Sequence, residues 1–356
     1  MKIGVFMHDL SSGGAEKIMV GFVNYLADFT NDEVVLILAN TKGPYLSIVN
    51  PKVKIVSFDR HKTSQIVAPL YRYLKAEPVD VVYSTLRNAN LIAILIGKLL
   101  GIKVITREAN TIKEYNKTKK KRIDKATMFL TRHLYRYAYK CIAISENVKT
   151  DLIRFTSLED KKIKVAYNPI KIFDNIADVS LDPEVFHVGL VSRLTTQKNI
   201  PTVAKVIEHF LQSNYRIKFH FFGEGDERSV LENLAKRYPH RSVVELHGFE
   251  LSYYSFIKHM DMFMHIPLWE GLGNSVLEVY NSGIPMILSN VESGFSELIK
   301  PDFPNVHYFD PHNDVNLIIQ VIEKYINGEL VPIPDRPKLD LAEKDTYNAY
   351  RQIVHD

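Results

Sequence analysis

The sequence predicts an α/β fold of two Rossmann-like, doubly wound domains in series. Three observations lead there. A chain of 356 residues is longer than one ordinary hydrophobic core organises. Short β-rich runs alternate with segments of helical apolar spacing through most of it. The alternation breaks once, at Asn168-Pro169, and then restarts.

In the first half the strand candidates are Lys2–Met7, Glu33–Ala39, Val53–Phe58, Val79–Ser84, Lys103–Arg107, Lys140–Ile144 and Ile163–Tyr167. Helical spacing fills most of the gaps. Ala15–Phe29 sets Ile18, Met19, Phe22, Val23 and Leu26 on one face, and Asn90–Leu100 is a second helix candidate. Strands that alternate with helices need crossovers, so the sheet is parallel and covered on both faces. Residues 168–185, with Pro169 and Pro183 and no clean period, read as a linker. The second set of strands is Phe186–Ser192, Ile217–Phe222, Val243–His247, Met262–Ile266, Pro285–Ser289 and Val306–Phe309. Leu341–Val354 has a helical pattern suited to packing back on the first domain. The expected domains are therefore 1–168, with about 341–356 returning to it, and 169–340.

Composition narrows the class. Apolar content of 46% and charged content of 24% suit a soluble globular chain. A single cysteine, Cys141, excludes an internal disulfide and fits a reducing compartment. The opening MKIGVFMHD reads as a buried strand rather than a signal peptide. The strongest apolar run, Leu91–Ile102, is interrupted by Lys98 and is too short to span a bilayer. A cytoplasmic protein without a transmembrane helix is expected. The net charge of +4 conceals an asymmetry. Residues 1–170 hold 28 Lys+Arg against 15 Asp+Glu, or +13, and the remainder holds 17 against 26, or −9. The first half therefore suits an anionic partner: membrane phosphate, a lipid diphosphate or nucleic acid.

In open α/β sheets, ligands bind beyond the carboxyl ends of the strands, so strand-to-helix turns are the places to look. The most informative turn is Pro267-Leu-Trp-Glu-Gly-Leu-Gly-Asn-Ser-Val-Leu-Glu278. Gly271 and Gly273 permit close backbone approach, and the amides of Leu272 to Ser275 stand at a helix N-terminus, where anions bind. Glu270 and Glu278 flank them. Ser275-x-x-Glu278 also reads as a capping box, which would account for Glu278 but not for Glu270, Trp269 or the glycines. A glutamate can instead accept hydrogen bonds from ribose hydroxyls.

The second turn is Gly189-Leu-Val-Ser-Arg193-Leu-Thr-Thr-Gln-Lys198. A lysine near a helix start opposes the helix dipole, and an anion between it and Arg193 relieves that conflict. Two surface cations are the plainer reading. Phe221-Phe-Gly-Glu-Gly-Asp226 carries Gly223 and Gly225, and Glu245-Leu-His-Gly248 carries His247. Each is weak alone. In the first domain Ser11-Ser-Gly-Gly-Ala-Glu16 joins strand to helix through Gly13 and Gly14, without the Gly-x-Gly-x-x-Gly spacing of dinucleotide folds. Thr106-Arg-Glu-Ala-Asn110 is a further strand exit.

Together these segments resemble the family 4 glycosyltransferases of the GT-B fold, over nearly the whole chain. The resemblance rests on Glu270 and Glu278 within EGLGNSVLEVYNSGIP, Arg193 and Lys198 within GLVSRLTTQKN, and FFGEGDER, SGFSELI, SGGAE and VAYNPI in their expected order. It implies two Rossmann-like domains facing across a cleft, the first binding acceptor and the second nucleotide-sugar. It implies that Arg193 and Lys198 stabilise the leaving diphosphate, with Glu270 beside the donor sugar and Glu278 on the ribose. Gly13, Gly14, Gly189, Gly223, Gly225, His247 and the segment Gly271, Leu272, Gly273, Asn274, Ser275 line the donor, and Arg107 and Asn110 the acceptor. The implied reaction retains anomeric configuration, with UDP the family's commonest nucleotide. The chain contains no Asp-x-Asp pair, so cations and helix amides take the place of a bridging metal, and no cofactor is expected. One departure is that Glu108, Ala109 and Asn110 stand where many members have a histidine.

Residues 113–140 form a basic arm, with Lys117, Lys119, Lys120, Lys121, Arg122 and Lys125 ahead of Met128, Phe129, Leu130 and Leu134. Such a stretch suits the surface of an anionic membrane, although a mobile loop followed by an ordinary helix has the same pattern. No base-reading motif accompanies it, so nucleic acid is not expected. The expected activity is transfer from a nucleotide-diphosphate sugar to a lipid-linked glycan, at the inner face of the membrane. A sugar-nucleotide 2-epimerase of similar fold and a non-catalytic partner subunit are the alternatives, and the Glu270/Glu278 pair with Arg193 and Lys198 argues against both.

Overall fold

A computed structural model describes residues 1–11, 13–112, 122–170, 179–238, 240, 242–333 and 336–356. It divides into two compact units, Met1–Pro169 with Leu341–Asp356, and Ile170–Asp340.

Among the described residues the first unit holds seven strands: β1 Lys2–Met7, β2 Glu33–Leu38, β3 Lys54–Ser57, β4 Val81–Thr85, β5 Lys103–Glu108, β6 Lys140–Ala143 and β7 Ile163–Val165. Its helices are α1 Gly14–Phe29, α2 Val67–Ala76, α3 Arg87–Leu100, α4 Arg122–Leu134 and α5 Glu146–Phe155. The strands pair in the order β3-β2-β1-β4-β5-β6-β7, always parallel. The near-continuous apolar runs explain this, because Ile3, Val5, Phe6, Val35, Leu36 and Val81 are buried in a sheet covered on both faces. Helix α1 buries the face predicted for it, including Ile18, Met19, Phe22, Val23 and Leu26.

The C-terminal residues form α12, Glu343–Gln352, within the same unit. Tyr347 and Tyr350 pack edge-on or tilted against Phe22, the hydroxyl of Tyr83 donates to the carbonyl of Tyr350 at 3.0 Å, and Arg351 pairs with Asp32 at 2.6 Å.

The second unit continues with β8 Phe186–Val191, β9 Ile217–Phe222, β10 Val244–Gly248, β11 Met262–His265, β12 Met286–Ser289 and β13 Val306–Phe309. The helices are α6 Ile200–Gln212, α7 Arg228–Arg237, the short α8 Tyr254–Ile257, α9 Asn274–Tyr280, α10 Gly294–Leu298 and α11 Val315–Ile326. The order is β10-β9-β8-β11-β12-β13, again all parallel. The core gathers Val203, Val206, Phe210 and Leu211 of α6 with Phe219, Phe221, Met262 and Ile287 from the strands. From β8 the chain winds outward through β9 to β10, and from β11 it winds the other way. The switch point therefore lies between β8 and β11, where such sheets place their ligands.

Candidate functional site

The two most informative turns leave the sheet side by side at this switch point. β8 and β11 are paired neighbours, with Met262 opposite Val188 and Phe263 opposite Gly189. After β8 the chain passes Ser192–Thr195 and makes one short turn, Thr196–Lys198, before α6. After β11 it runs through Pro267–Gly273 into α9. Three bonds fasten the loops together. The Leu268 amide donates to the Gln197 carbonyl at 2.9 Å, Gln197 Nε2 donates to the Trp269 carbonyl at 3.0 Å, and Ser275 Oγ donates to the Val191 carbonyl at 3.0 Å.

Between these loops Lys198 Nζ forms a hydrogen-bonded ion pair with Glu270 Oε2, and His265 Nε2 lies 3.2 Å from the same oxygen. The side chains are 12%, 10% and 3% exposed for Lys198, Glu270 and His265, so the pair is largely withdrawn from water. Burial by itself pushes the Glu270 carboxyl up; the positive Lys198 and the His265 hydrogen bond outweigh it and hold Glu270 well below the usual glutamate range. Burial, and then Lys198, push His265 down. The result is a carboxylate held by one ammonium, one neutral imidazole N–H and the Gly271 amide, which donates to Oε1 at 3.3 Å. Arg193 stands apart. It is exposed, and among the described residues it forms no ion pair or side-chain hydrogen bond. The cluster therefore carries one positive charge more than its own acid balances, and Arg193 can move to meet an anion.

The glycine turn after β9 supports the Arg193 loop. Gly223 has φ +148°, and a Cβ there would lie 1.9 Å from the Ser192 carbonyl oxygen. At Gly225, with φ +159°, the Leu194 carbonyl oxygen would be 2.2 Å away. The Leu194 amide donates to the Glu224 carbonyl at 2.9 Å, and the Glu227 amide to Leu194 at 2.9 Å. Backbone approaches backbone here because neither glycine has a side chain. His247, on edge strand β10, stacks flat on Phe222 at 4.4 Å.

Several readings of the sequence need correction. Ser275 is not the cap of α9: Gly273 is, at φ +78°, and Ser275 turns to Val191 instead. The capping-box explanation of Glu278 therefore fails, and Glu278 sits 3% exposed inside α9. Gly189 is expected from the sequence to line the donor. It lies within β8, where Ile257 and Met260 fill the space a side chain would take. Arg107, expected at the acceptor, is enclosed by protein groups. It is 1% exposed and donates to Asn168, to Thr85 at 3.3 Å and to Tyr350 at 3.5 Å, which ties β5, the chain before the second unit and α12 together. Asn110 is half-buried just beyond β5. At Gly13, the cap of α1, the carboxylate of Glu16 already covers the amide end of the helix.

Leu272 is buried, Gly271 accepts from the Gly294 amide at 2.7 Å, and Asn274 and Gly14 are at least partly exposed. Lys119, Lys120 and Lys121 lie outside the described residues, and Arg122 opens α4. The sequence reading missed His265 and Gln197. His265 offered one signal, its place as the last strand residue before the richest turn. Gln197 offered none, because its role is a bond to a backbone carbonyl across the switch point.

A hollow of about 720 Å³ in the first unit lies at the amino ends of β5 and β6, lined by Lys98, Lys103, Lys140 and Tyr137 among others. It is at the wrong end of the strands for the chemistry above. Among the described residues, no helix is long and apolar enough to cross a membrane.

Comparison with known proteins agrees with this architecture. Residues 172–350 match the family model described as glycosyl transferases group 1, and residues 12–172 match that of Glycosyltransferase Family 4. The chain is 26% identical over 320 residues to the N-acetylgalactosamine-N,N'-diacetylbacillosaminyl-diphospho-undecaprenol 4-alpha-N-acetylgalactosaminyltransferase of Campylobacter jejuni, covering 85% of this chain and 84% of the relative. It is 23% identical over 342 residues to the UDP-Gal:alpha-D-GlcNAc-diphosphoundecaprenol alpha-1,3-galactosyltransferase of Escherichia coli, covering 91% and 81%. The crystal structure of Anabaena Alr3699/HepE in complex with UDP-glucose superposes with a TM-score of 0.74 at 18% identity, over 100% of this chain and 95% of that one.

Proposed function

The chain belongs to the group 1 glycosyl transferases, with a Family 4 first half and the GT-B fold, and from that premise we propose a specific activity. It transfers a hexose with retention from a UDP-sugar to a lipid-diphosphate-linked glycan, in polysaccharide or glycoconjugate assembly. The observation that carries this reading is the Lys198–Glu270–His265 cluster beside an uncommitted Arg193 at the switch point of the second sheet.

The chemistry follows from charge. When the glycosidic bond to the diphosphate breaks, negative charge grows on the leaving oxygens, and pre-placed cations stabilise it without reorganising. Arg193 supplies a fork and Lys198 a point charge. When Lys198 turns to the phosphate, His265 still donates to Glu270, so the buried carboxylate keeps a partner. Glu270 then faces the sugar, and Glu278 takes the ribose. The loop Gly271–Gly273 brings the first-turn amides of Asn274 and Ser275, which lack intrahelical acceptors, against the phosphates. Gly223 and Gly225 contribute by holding the Arg193 loop in place. Two cations suffice for this charge, so no metal or cofactor enters the proposed reaction.

The acceptor belongs to the first unit, which carries the positive charge. Exposed Leu95 and Leu99 of α3 and Phe129 and Leu130 of α4 stand on helices that pack together, fringed by Lys98 and Arg132. With the lysines before α4, this face suits an anionic bilayer and a peripheral location at its cytoplasmic side. Two experiments test the reading. UDP-sugars should raise the melting temperature without added metal, and UDP should be released only when a lipid-diphosphate glycan is present. Release without acceptor, or none with any acceptor, refutes the transferase. Unchanged vesicle binding after Lys119, Lys120, Lys121 and Arg122 are all replaced by alanine refutes the membrane face.

A further inference from the structure

Three histidines on adjacent strands form a hydrogen-bonded chain away from the cation cluster. His187 Nε2 lies 3.0 Å from the Asp182 carbonyl oxygen, His187 Nδ1 lies 2.8 Å from His220 Nε2, and His220 Nδ1 lies 3.1 Å from His247 Nε2. A carbonyl only accepts, so His187 carries its proton on Nε2. Its Nδ1 is then an acceptor, and His220 donates from Nε2. That leaves His220 Nδ1 unprotonated, its lone pair accepting from His247 Nε2.

Beside that lone pair stands Glu245. Its carboxylate is 3.8 Å from His220 Nδ1 and 3.7 Å from His247 Nε2. One ligand atom from each of His220, Glu245 and His247 lies within 4.8 Å of the others. Ligands about 2.0–2.2 Å from a tetrahedral zinc stand roughly 3.3 Å apart, so small tilts of the rings close the set. The surroundings suit a cation in two further ways. A metal-bound histidine characteristically donates its other N–H to a fixed acceptor, and His220 does so through His187 to a backbone carbonyl. The Lys218 ammonium already sits 3.1 Å from Glu245, answering the same negative charge.

We propose that His220 Nδ1, His247 Nε2 and the Glu245 carboxylate bind a zinc ion, with Lys218 swung aside and water at the fourth position. The two imidazoles remain neutral, since His247 moves its proton to Nδ1. No bond to substrate is involved. The ion clamps edge strand β10 to β9, just before the Gly248 carbonyl that accepts from the Gly223 amide at 2.6 Å. Its effect therefore reaches the glycine turn that supports the Arg193 loop.

The test uses the full chain stripped of metal and titrated with zinc sulfate, followed by calorimetry and by the imidazole proton and nitrogen resonances. Saturable one-to-one binding is expected, with shifts at His220 and His247 and a higher melting temperature for the second unit. Glu245→Gln and His247→Ala, both at positions with some exposure, should each weaken binding at least about tenfold while circular dichroism is unchanged. No saturable binding up to about 0.1 mM zinc, or wild-type affinity in either variant, overturns the proposal. Neither outcome depends on glycosyl transfer, so it stands or falls apart from the donor reading.

Discussion

Replacing Lys198 with alanine tests the charge logic of the site before any ligand is added. In the wild type the largely buried Glu270 carboxylate is held by Lys198, by His265 and, at 3.3 Å, by the Gly271 amide, and only Lys198 is cationic. Removing it leaves a carboxylate facing a neutral imidazole. Breaking one side of a buried pair costs about 3–5 kcal/mol. The lower end, about 3 kcal/mol, applies here, because both side chains retain some exposure and His265 becomes able to take up a proton. For a unit of this size that is a fall of about 6–12 °C in melting temperature. The sign with pH is fixed by the direction of the shift. Glu270 is depressed in the folded chain, so its contribution is present above the usual glutamate range and is lost as pH falls through its folded value. In Lys198→Ala burial instead raises the carboxyl, which takes up a proton at or above the usual glutamate range, so the deficit is largest near about pH 7.5 and shrinks toward about pH 4. Urea unfolding of wild type, Lys198→Ala, Glu270→Gln and the double variant measures it. The double variant should be more stable than Lys198→Ala alone, since no buried charge is left. Equal deficits at both pH values, or strict additivity in the cycle, would refute the reasoning.

Three further substitutions separate binding from scaffolding. Arg193→Ala should leave the unliganded chain within about 0.5 kcal/mol of wild type, because the side chain is exposed, but should weaken UDP binding by about 1.5–3 kcal/mol in calorimetry. Gly223→Ala forces a Cβ onto the Ser192 carbonyl at a positive φ, so unfolding should show a loss of about 2–4 kcal/mol, with nucleotide binding weakened through displacement of the Arg193 loop. Arg107→Met should lower the first unit's stability by about 2–3 kcal/mol, since Asn168 and Thr85 lose a buried donor. At temperatures where the variant is folded, its acceptor KM should match wild type, and a raised KM would restore Arg107 as an acceptor contact.

The fold was legible because both sheets are parallel and buried on two faces. Each strand is then a short apolar run, and each crossover helix shows its own period, as β1 and α1 do. The cluster was half legible. Glycines beside acids at a strand exit pointed to Glu270, Gly271 and Gly273. What such patterns cannot show is which polar group meets which across the sheet. Gly189 looked like part of the phosphate loop because it precedes Arg193 by four residues, yet strand alternation turns it toward Ile257 and Met260. Arg107 was placed at the acceptor because it stands at a strand exit, whereas its partners Asn168 and Tyr350 come from distant parts of the chain. His265 was passed over within its strand: its place before the richest turn was a signal, but not one that says the imidazole meets a glutamate five residues on.

The ion pair also bears on which ligands the site prefers. Lys198 is satisfied in the unliganded chain, so a ligand gains its full charge only by drawing it from Glu270, whereas Arg193 is available at no such cost. A monophosphate can engage Arg193 and leave Lys198 in place. A diphosphate can engage both, and each charge-assisted bond contributes about 1.5–3 kcal/mol. Allowing for part of the Lys198–Glu270 attraction to be lost, UDP should bind more tightly than UMP by roughly 1.5–3 kcal/mol, or about ten- to 150-fold. The preference should be smaller in Glu270→Gln, not through weaker diphosphate binding, but because a lysine no longer held by a carboxylate becomes free to serve the monophosphate as well. Calorimetry of both nucleotides against both proteins reads this directly. A preference that is unchanged in Glu270→Gln would mean that Lys198 stays on Glu270 throughout, and that Arg193 alone meets the phosphates.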